Sequence, residues 1–204
     1  MSLLFEALQT LTPPERKAFS RLLHTPFFNT KESLAEYGDY LLECAASRST
    51  PNDEQMYSIA AKSKVTSREQ SLRLANSALL QLLETWLAYR EFVEQTDQQK
   101  INLARAYRKR GLARHYKIIH REARAQVNEK PLRNVSWLEH TFQLEWEQYQ
   151  FEVAAQRSGE LNIQNCSDAM DAAFMANKLR LACLAISHQA IYKTEYQIHY
   201  LSEV

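Results

Sequence analysis

Glycine is the residue this chain nearly does without. Gly38, Gly111 and Gly159 are the only three in 204 residues, about 1.5% against a usual ~7%. Dinucleotide loops, phosphate loops and the nucleophile elbow of hydrolases need two or three glycines within a few residues, because only a residue without Cβ lets backbone turn that tightly. Glycines this far apart remove all three devices. Strand signals are missing too: no Asn-Gly or Asp-Gly hairpin turn occurs, and no run rich in Val, Ile and Thr alternates with period two. The expected fold is all-α with no β-sheet, either an irregular helical-hairpin array of α-solenoid type or a multi-helix bundle.

Prolines and capping residues punctuate the helices. Thr12 precedes Pro13 and Pro14, with Glu15 three residues on, which reads as an N-cap, proline in the first turn and a capping-box glutamate. Pro51 follows Thr50 in the same way, and Thr66 with Glu69 and Ser136 with Glu139 give two further boxes. Pro26 and Pro131 fall in loops. Helices are expected over 2–10, 13–24, 31–46, 51–63, 66–95, 98–110, 112–128, 136–157 and 167–202, the last with a break near Ser187 or His188.

The 66–95 segment is the expected spine. Leu72, Ala75, Leu79, Leu82, Leu83, Trp86 and Val93 recur at three- and four-residue steps, and Leu74, Ala78, Leu87 and Tyr89 widen the stripe to a second side. It closes an N-terminal helical cluster, 1–95, and is followed by a helical-hairpin array, 97–204, the two expected to pack as one unit. Trp137, Phe142, Trp146, Tyr149 and Val153 supply the apolar residues of one later helix; Phe174, Leu181, Leu184 and Ile191 supply those of the next. The run Ile191, Tyr192, Tyr196, Ile198, Tyr200 and Leu201 stands at the end of the chain without a polar capping helix. The expectation is that the chain is the first part of a longer protein. Its last helix would pack on further helices or self-associate with a neighbouring molecule.

Charge and cysteine usage narrow the partners. Lys plus Arg total 25 against 24 Asp plus Glu, so bulk charge does not hold the chain to nucleic acid or membrane. Cys44, Cys166 and Cys183 form no CxxC pair, the first residues carry no signal peptide, and no 18 apolar residues run together. A reduced, cytoplasmic protein that does not enter a membrane is expected.

Catalytic and metal chemistry find little purchase. None of the six histidines has another three or four residues away or a glutamate three residues before it, so metal and cofactor are not expected. Glu195 and His199 form a lone helical pair. Glu139, Glu145, Glu147 and Glu152 read as a solvated acidic side of one helix, which cannot by itself set two carboxyls across a cleft. Cys166, beside Ser167 and Asp168 at a helix start, lacks a nearby histidine. The chain is expected not to be an enzyme.

Two features suit a partner instead. From Arg105 to Arg124 eight basic residues meet one acid, Glu122, and Arg110, Arg114, Lys117, Arg121 and Arg124 fall on one helical face, opposite Leu112, Tyr116, Ile119, Ala123 and Val127. The stripe is expected to be solvated and paired with Glu84, Glu91, Glu94 or Asp97. It could also dock an acidic peptide or an anionic lipid surface, or track the phosphates of nucleic acid. The second feature is the proline turn Thr25-Pro26-Phe27-Phe28-Asn29. One ring is expected to fill the gap between the first two hairpins; exposed, Phe27 and Phe28 would be a recognition knob. The flanking helix pair resembles a helix-turn-helix only superficially, because Pro26 and two aromatics replace the short turn that motif requires. The function expected is a non-enzymatic protein-interaction scaffold of helical-repeat type, the alternative a nucleic-acid or phosphate-binding module using 110–124.

Two resemblances accompany that reading. Leu103, Ala104, Tyr107, Gly111 and Ala123 sit at the spacing of a tetratricopeptide hairpin, while Tyr116 and His120 depart from it. The run from Leu11 through Thr12-Pro13-Pro14-Glu15 to Phe19, leading into Thr25–Asn29, resembles the start of a family of helical proteins from Bacteroidetes. Lys178–Cys183 and Tyr192–Tyr196 resemble a second stretch of that family. Thr25 and Phe27 stand where its pattern has Ser and Tyr. The resemblance implies an N-terminal portion of a longer α-helical protein and carries no catalytic residues.

Overall fold

The computed structural model describes residues 2–60, 67–155 and 161–201. Helices and no strand occupy them: α1 Leu3–Thr10, α2 Pro13–Leu23, α3 Glu32–Ser47, α4 Asp53–Ala60, α5 Arg68–Glu94, α6 Thr96–Lys109, α7 Ala113–Asn128, α8 Val135–Ala155 and α9 Ile163–Ile191. The fold is all-α. Thr66, Gly159 and the expected ends of helices 51–63, 136–157 and 167–202 at 61–63, 156–157 and 202 lie outside the described residues. Two compact units divide at Glu91 and Phe92.

In the first unit the Thr12 signal works as expected: the Thr12 amide and hydroxyl both donate to Glu15 Oε2 at 2.7 Å. The other caps move. Asn52, not Thr50, opens α4, its Oδ1 accepting from the Glu54 amide at 2.8 Å. Asn134, not Ser136, opens α8 in the second unit, accepting from the Trp137 amide at 2.9 Å. The first correction follows the greater strength of asparagine than threonine as an N-cap; asparagine and serine are equal in that role, so residue type alone does not decide the second.

Leu4, Phe5, Leu8, Phe19, Leu23, Leu41, Leu79, Leu83 and Trp86 build the core of this unit. Phe19 and Trp86 meet with ring centroids 5.3 Å apart. Arg90 lies over the Trp86 ring at 5.1 Å and pairs with Glu15 at 2.5 Å. Hydrogen bonds from Thr12 and the Arg90 guanidinium hold the Glu15 carboxyl down at about 2. The buried Tyr37 hydroxyl donates to Asn76 Oδ1 at 2.7 Å, tying α3 to α5, and burial pushes it up to about 12. Along α5, Leu79, Leu83 and Trp86 are buried while Leu74, Leu87 and Tyr89 are exposed. The stripe holds as far as Trp86, but Val93 is exposed, and on the second side Ala78 alone packs against the core.

Gly38 is where α3 passes closest to its neighbours. A Cβ there would stand 2.3 Å from Leu23 Cδ1 and 3.1 Å from Leu79 Cδ1, and both leucines are fully enclosed. Intrinsic propensity favours alanine in a helix by about 1 kcal/mol. Gly38→Ala is nevertheless expected to destabilise, by about 1–3 kcal/mol, because overpacking a closed core forces side chains off their rotamers. A urea titration followed by circular dichroism checks this; a stabilised variant would show that Leu23 gives way.

In the second unit α6 and α7 form a hairpin. The Leu112 amide bonds to the Tyr107 carbonyl and the Gly111 amide to the Arg108 carbonyl, both at 3.0 Å, with Gly111 at φ +70°. This is a Schellman C-cap, and it ends α6 at Lys109. Ile101, Ala123, Val127 and Leu144 form the core, with Trp137 packed against them. Helix α8 packs on α6, α7 and α9. It runs antiparallel to α9: Asn162 reaches Glu145 and Asn177 reaches Glu139. That register leaves roughly the last ten residues of α9, about 15 Å, beyond the first turn of α8.

Helix α9 begins before 167 and stops at Ile191, well short of 202. The helix ends at Ile191, shortly after Ser187 and His188: the Tyr192 amide closes the ladder on the His188 carbonyl at 2.9 Å, and the side chains that follow gather on the His188 ring. Tyr192 stacks on it at 4.5 Å between centroids, and the Thr194 and Tyr196 hydroxyls lie 3.1 and 3.0 Å from its Nδ1. Lys193 takes φ 24°. Glu195 and His199 therefore share no helix. Phe174, Leu181, Leu184 and Ile191, expected to pack, are all exposed; Cys166, Ala173 and Ala182 are the buried residues of α9.

Candidate functional site

The basic stripe survives in its centre and changes at both ends. Arg114, Lys117 and Arg121 are exposed on α7, opposite the buried Tyr116, His120, Ala123 and Val127. Arg110 does not share that helix. It is the C-cap of α6, separated from α7 by the Gly111 turn, and its guanidinium returns to the Ala106 carbonyl at 3.1 Å. Arg124 turns inward to Glu145 Oε1 at 2.6 Å. Lys117 leans over the Phe151 ring at 5.8 Å. Neither Arg114 nor Arg121 has an ion-pair or hydrogen-bond partner among the described residues.

The acids that engage this region come from α8. Glu147 is 1% exposed at its side chain, and its two oxygens accept from Arg105 Nε at 2.5 Å and Arg108 Nε at 2.8 Å. Its neighbour Glu145 is buried as well, accepting from Arg124 and from Asn162 Nδ2 at 3.0 Å. Of the acids expected on a solvated side of α8, Glu145 and Glu147 are buried instead and Glu152 is half-buried, Glu139 alone being exposed, while Trp146 and Val153 are exposed. Asp97, also buried, binds Lys130 and accepts from Gln126 Nε2 at 2.7 Å. Sequence reasoning missed this cluster. The available signal was arithmetic: basic residues on α6 with almost no local acid need carboxylates from another helix.

Titration follows from these contacts. Burial alone raises Glu145, but the Arg124 hydrogen bond and charge, with Asn162 and His120, outweigh it and hold the carboxyl below its ordinary value. Asp97 behaves likewise: desolvation is outweighed by Lys130 and Gln126. Burial lowers His120, against the hydrogen bond its Nε2–H donates to the Leu144 carbonyl at 2.9 Å. Burial also lowers His140, against the Asp97 charge. Burial raises Tyr116, whose hydroxyl has no hydrogen-bond partner among the described residues.

The unfolded chain takes protons on His120 and His140 as pH falls through 6.5, while the folded chain resists. Stability is therefore full above that value and declines below it. Denaturation midpoints of the second unit, read by Trp137 fluorescence, are expected to fall between pH ~6.5 and ~5. The decline should flatten in H120Q/H140Q. Equal declines in both proteins would refute the assignment. The depressed carboxylates add a second loss at lower pH, as Glu145 and Asp97 begin to protonate.

Other chemistry-bearing groups are occupied or misaligned. Ser20, His24 and Asp39 meet at the α2–α3 surface, beside a shallow groove of about 420 Å³. Asp39 is the central member, with Ser20 Oγ donating to Oδ1 and His24 Nε2 against Oδ2, both at 2.6 Å. Nucleophilic activation requires the histidine between serine and carboxylate, so this order yields a surface clamp. Burial and the Glu145 charge raise the Cys166 thiol, the opposite of an activated thiolate. Among the described residues no group of three or more His, Cys, Asp or Glu could hold a metal ion, and no helix is long and apolar enough to cross a membrane.

The proline turn also corrects its expectation. Phe27 is 87% and Phe28 37% exposed, packed edge to face at 5.0 Å, and neither fills a gap between helices. The turn holds its shape through polar groups: Asn29 Nδ2 donates to the Leu23 and Lys31 carbonyls, and Asn29 Oδ1 accepts from the Lys31 amide, all at 2.9 Å. With the backbone satisfied locally, the rings are free to point outward. One side of α9 exposes Met170, Phe174, Leu181 and Leu184.

Comparison of the chain with protein-family models, with curated proteins and with solved structures gave no match.

Proposed function

We propose that this protein is a non-enzymatic interaction scaffold that binds a protein partner in the cytoplasm. One observation carries the reading: a 29-residue helix, α9, leaves Phe174, Leu181 and Leu184 each more than half exposed. Large apolar side chains grouped on one solvated face mark an interaction site, whereas singly scattered ones do not. Phe27 on its hydrogen-bonded turn supplies a second anchor with little ordering cost. The cations of α7 steer encounter and select among partners. Affinity capture tests it, comparing the wild-type chain with F174S/L181S/L184S of equal helicity. Proteins retained by the wild type and lost by the variant support the scaffold; identical bound sets from both chains refute it.

A second reading is favoured by Arg114 and Arg121 having no partner among the described residues: a nucleic-acid or phosphate-binding module. Fluorescent RNA and duplex DNA titrated at ~50 and ~200 mM salt decide it, since phosphate contacts give micromolar binding that falls steeply with salt. Flat or absent binding removes it.

A further inference from the structure

The outward face of α7 carries more than charge. On a helical wheel Ile118 and Ala125 lie between the exposed cations and Glu122, and both are exposed, Ile118 at 41%. Arg114 is one turn before Ile118, Arg121 most of a turn after it, and Lys117 adjacent. The face is thus an apolar strip edged by cations. Arg114 and Arg121 stand about 10 Å apart along the axis at 1.5 Å per residue. Glu122 borders the opposite edge.

We propose that this face docks an acidic peptide segment that carries an apolar side chain between its carboxylates. The proposal rests on the interaction reading above and names the chemistry of one partner. Arg114 and Arg121 receive the carboxylates as charge-assisted, bidentate hydrogen bonds. Ile118 takes the apolar side chain, and Ala125 lets the segment approach closely. Glu122 repels acid from its own edge and so fixes which side the segment lies on. Charge complementarity selects peptide over nucleic acid here for a physical reason. A phosphate track gains nothing from an isoleucine in the middle of its cations. Base stacking would need an exposed aromatic on the strip; the exposed ring of α7, His115, already meets Tyr107 at 5.3 Å between centroids, and Phe151 is covered by Lys117.

Three fluorescent probes test the site by anisotropy: an acidic peptide with one central leucine, the same peptide with serine at that position, and a single-stranded RNA of equal charge. The leucine peptide is expected to bind at least tenfold tighter than the serine peptide and than the RNA, and more weakly as salt rises. R114E/R121E should abolish binding, and I118S should bring the leucine peptide down to the serine level. Both variants alter exposed positions, and unchanged thermal melts verify their folding. Equal affinity for the two peptides, tighter binding of RNA, or peptide binding unaffected by R114E/R121E would overturn the proposal. If peptide binding is absent while α9-dependent capture persists, this site fails and the scaffold reading stands. If both vanish, both fail.

Discussion

Replacing Arg105 and Arg108 together with alanine is expected to cost about 3–5 kcal/mol, the penalty for stranding a buried charge. Glu147 has almost no solvent access, and those two guanidinium groups occupy both of its oxygens. Either single substitution leaves one charge-assisted bond in place and should cost about 1.5–3 kcal/mol. The decisive comparison is the triple variant. If the cost is an uncompensated carboxylate, adding Glu147→Leu to R105A/R108A removes the charge with its partners and should recover most of the loss. Urea titration with Trp146 fluorescence measures all four proteins. A triple variant no more stable than the double would assign the loss to packing of the arginine stems, and the electrostatic account would fall.

That cluster marks where the sequence stops being legible. Periodicity identifies α5 and α7 because their buried residues are apolar: Leu79, Leu83 and Trp86 in one, Tyr116, Ala123 and Val127 in the other. In α8 the rule inverts. Glu145 and Glu147 face inward because Arg105, Arg108 and Arg124 arrive from two other helices, and no single-helix pattern contains that information. Caps are readable by residue type but not by position, since Asn52 and Asn134 compete with the Thr50 and Ser136 signals beside them. For α9 the apolar spacing of Phe174, Leu181 and Leu184 is present in the chain, yet nothing described lies over that face. The pattern says that a helix has an apolar side and is silent on what covers it. The Phe27 turn shows the same limit: Asn29 satisfies the loop by local hydrogen bonds, so its aromatics need not be buried for the turn to hold.

Phe19→Ala should cost the first unit about 3–5 kcal/mol, as expected for emptying a closed aromatic site. Phe19 is fully enclosed and meets Trp86 at 5.3 Å. Trp86 in turn carries Arg90 on its face, and Arg90 holds Glu15, which caps α2 through Thr12. Loss of the ring therefore removes an aromatic contact worth about 0.5–1.5 kcal/mol beyond its burial. It also loosens the platform on which the cap depends. Phe19→Leu keeps most of the volume and should cost less than about 1.5 kcal/mol. Trp86 fluorescence in a W137F/W146F background reports both variants. The Glu15 carboxyl supplies a readout that a simple cavity would not move: held at about 2 in the intact protein, it should titrate higher in F19A as Arg90 loses its seat. If F19A costs no more than F19L, the aromatic pair is not the centre of this core. If F19A is destabilised but Glu15 titrates as before, the cap stands independently of Trp86, and the link from core to helix start is broken at Arg90.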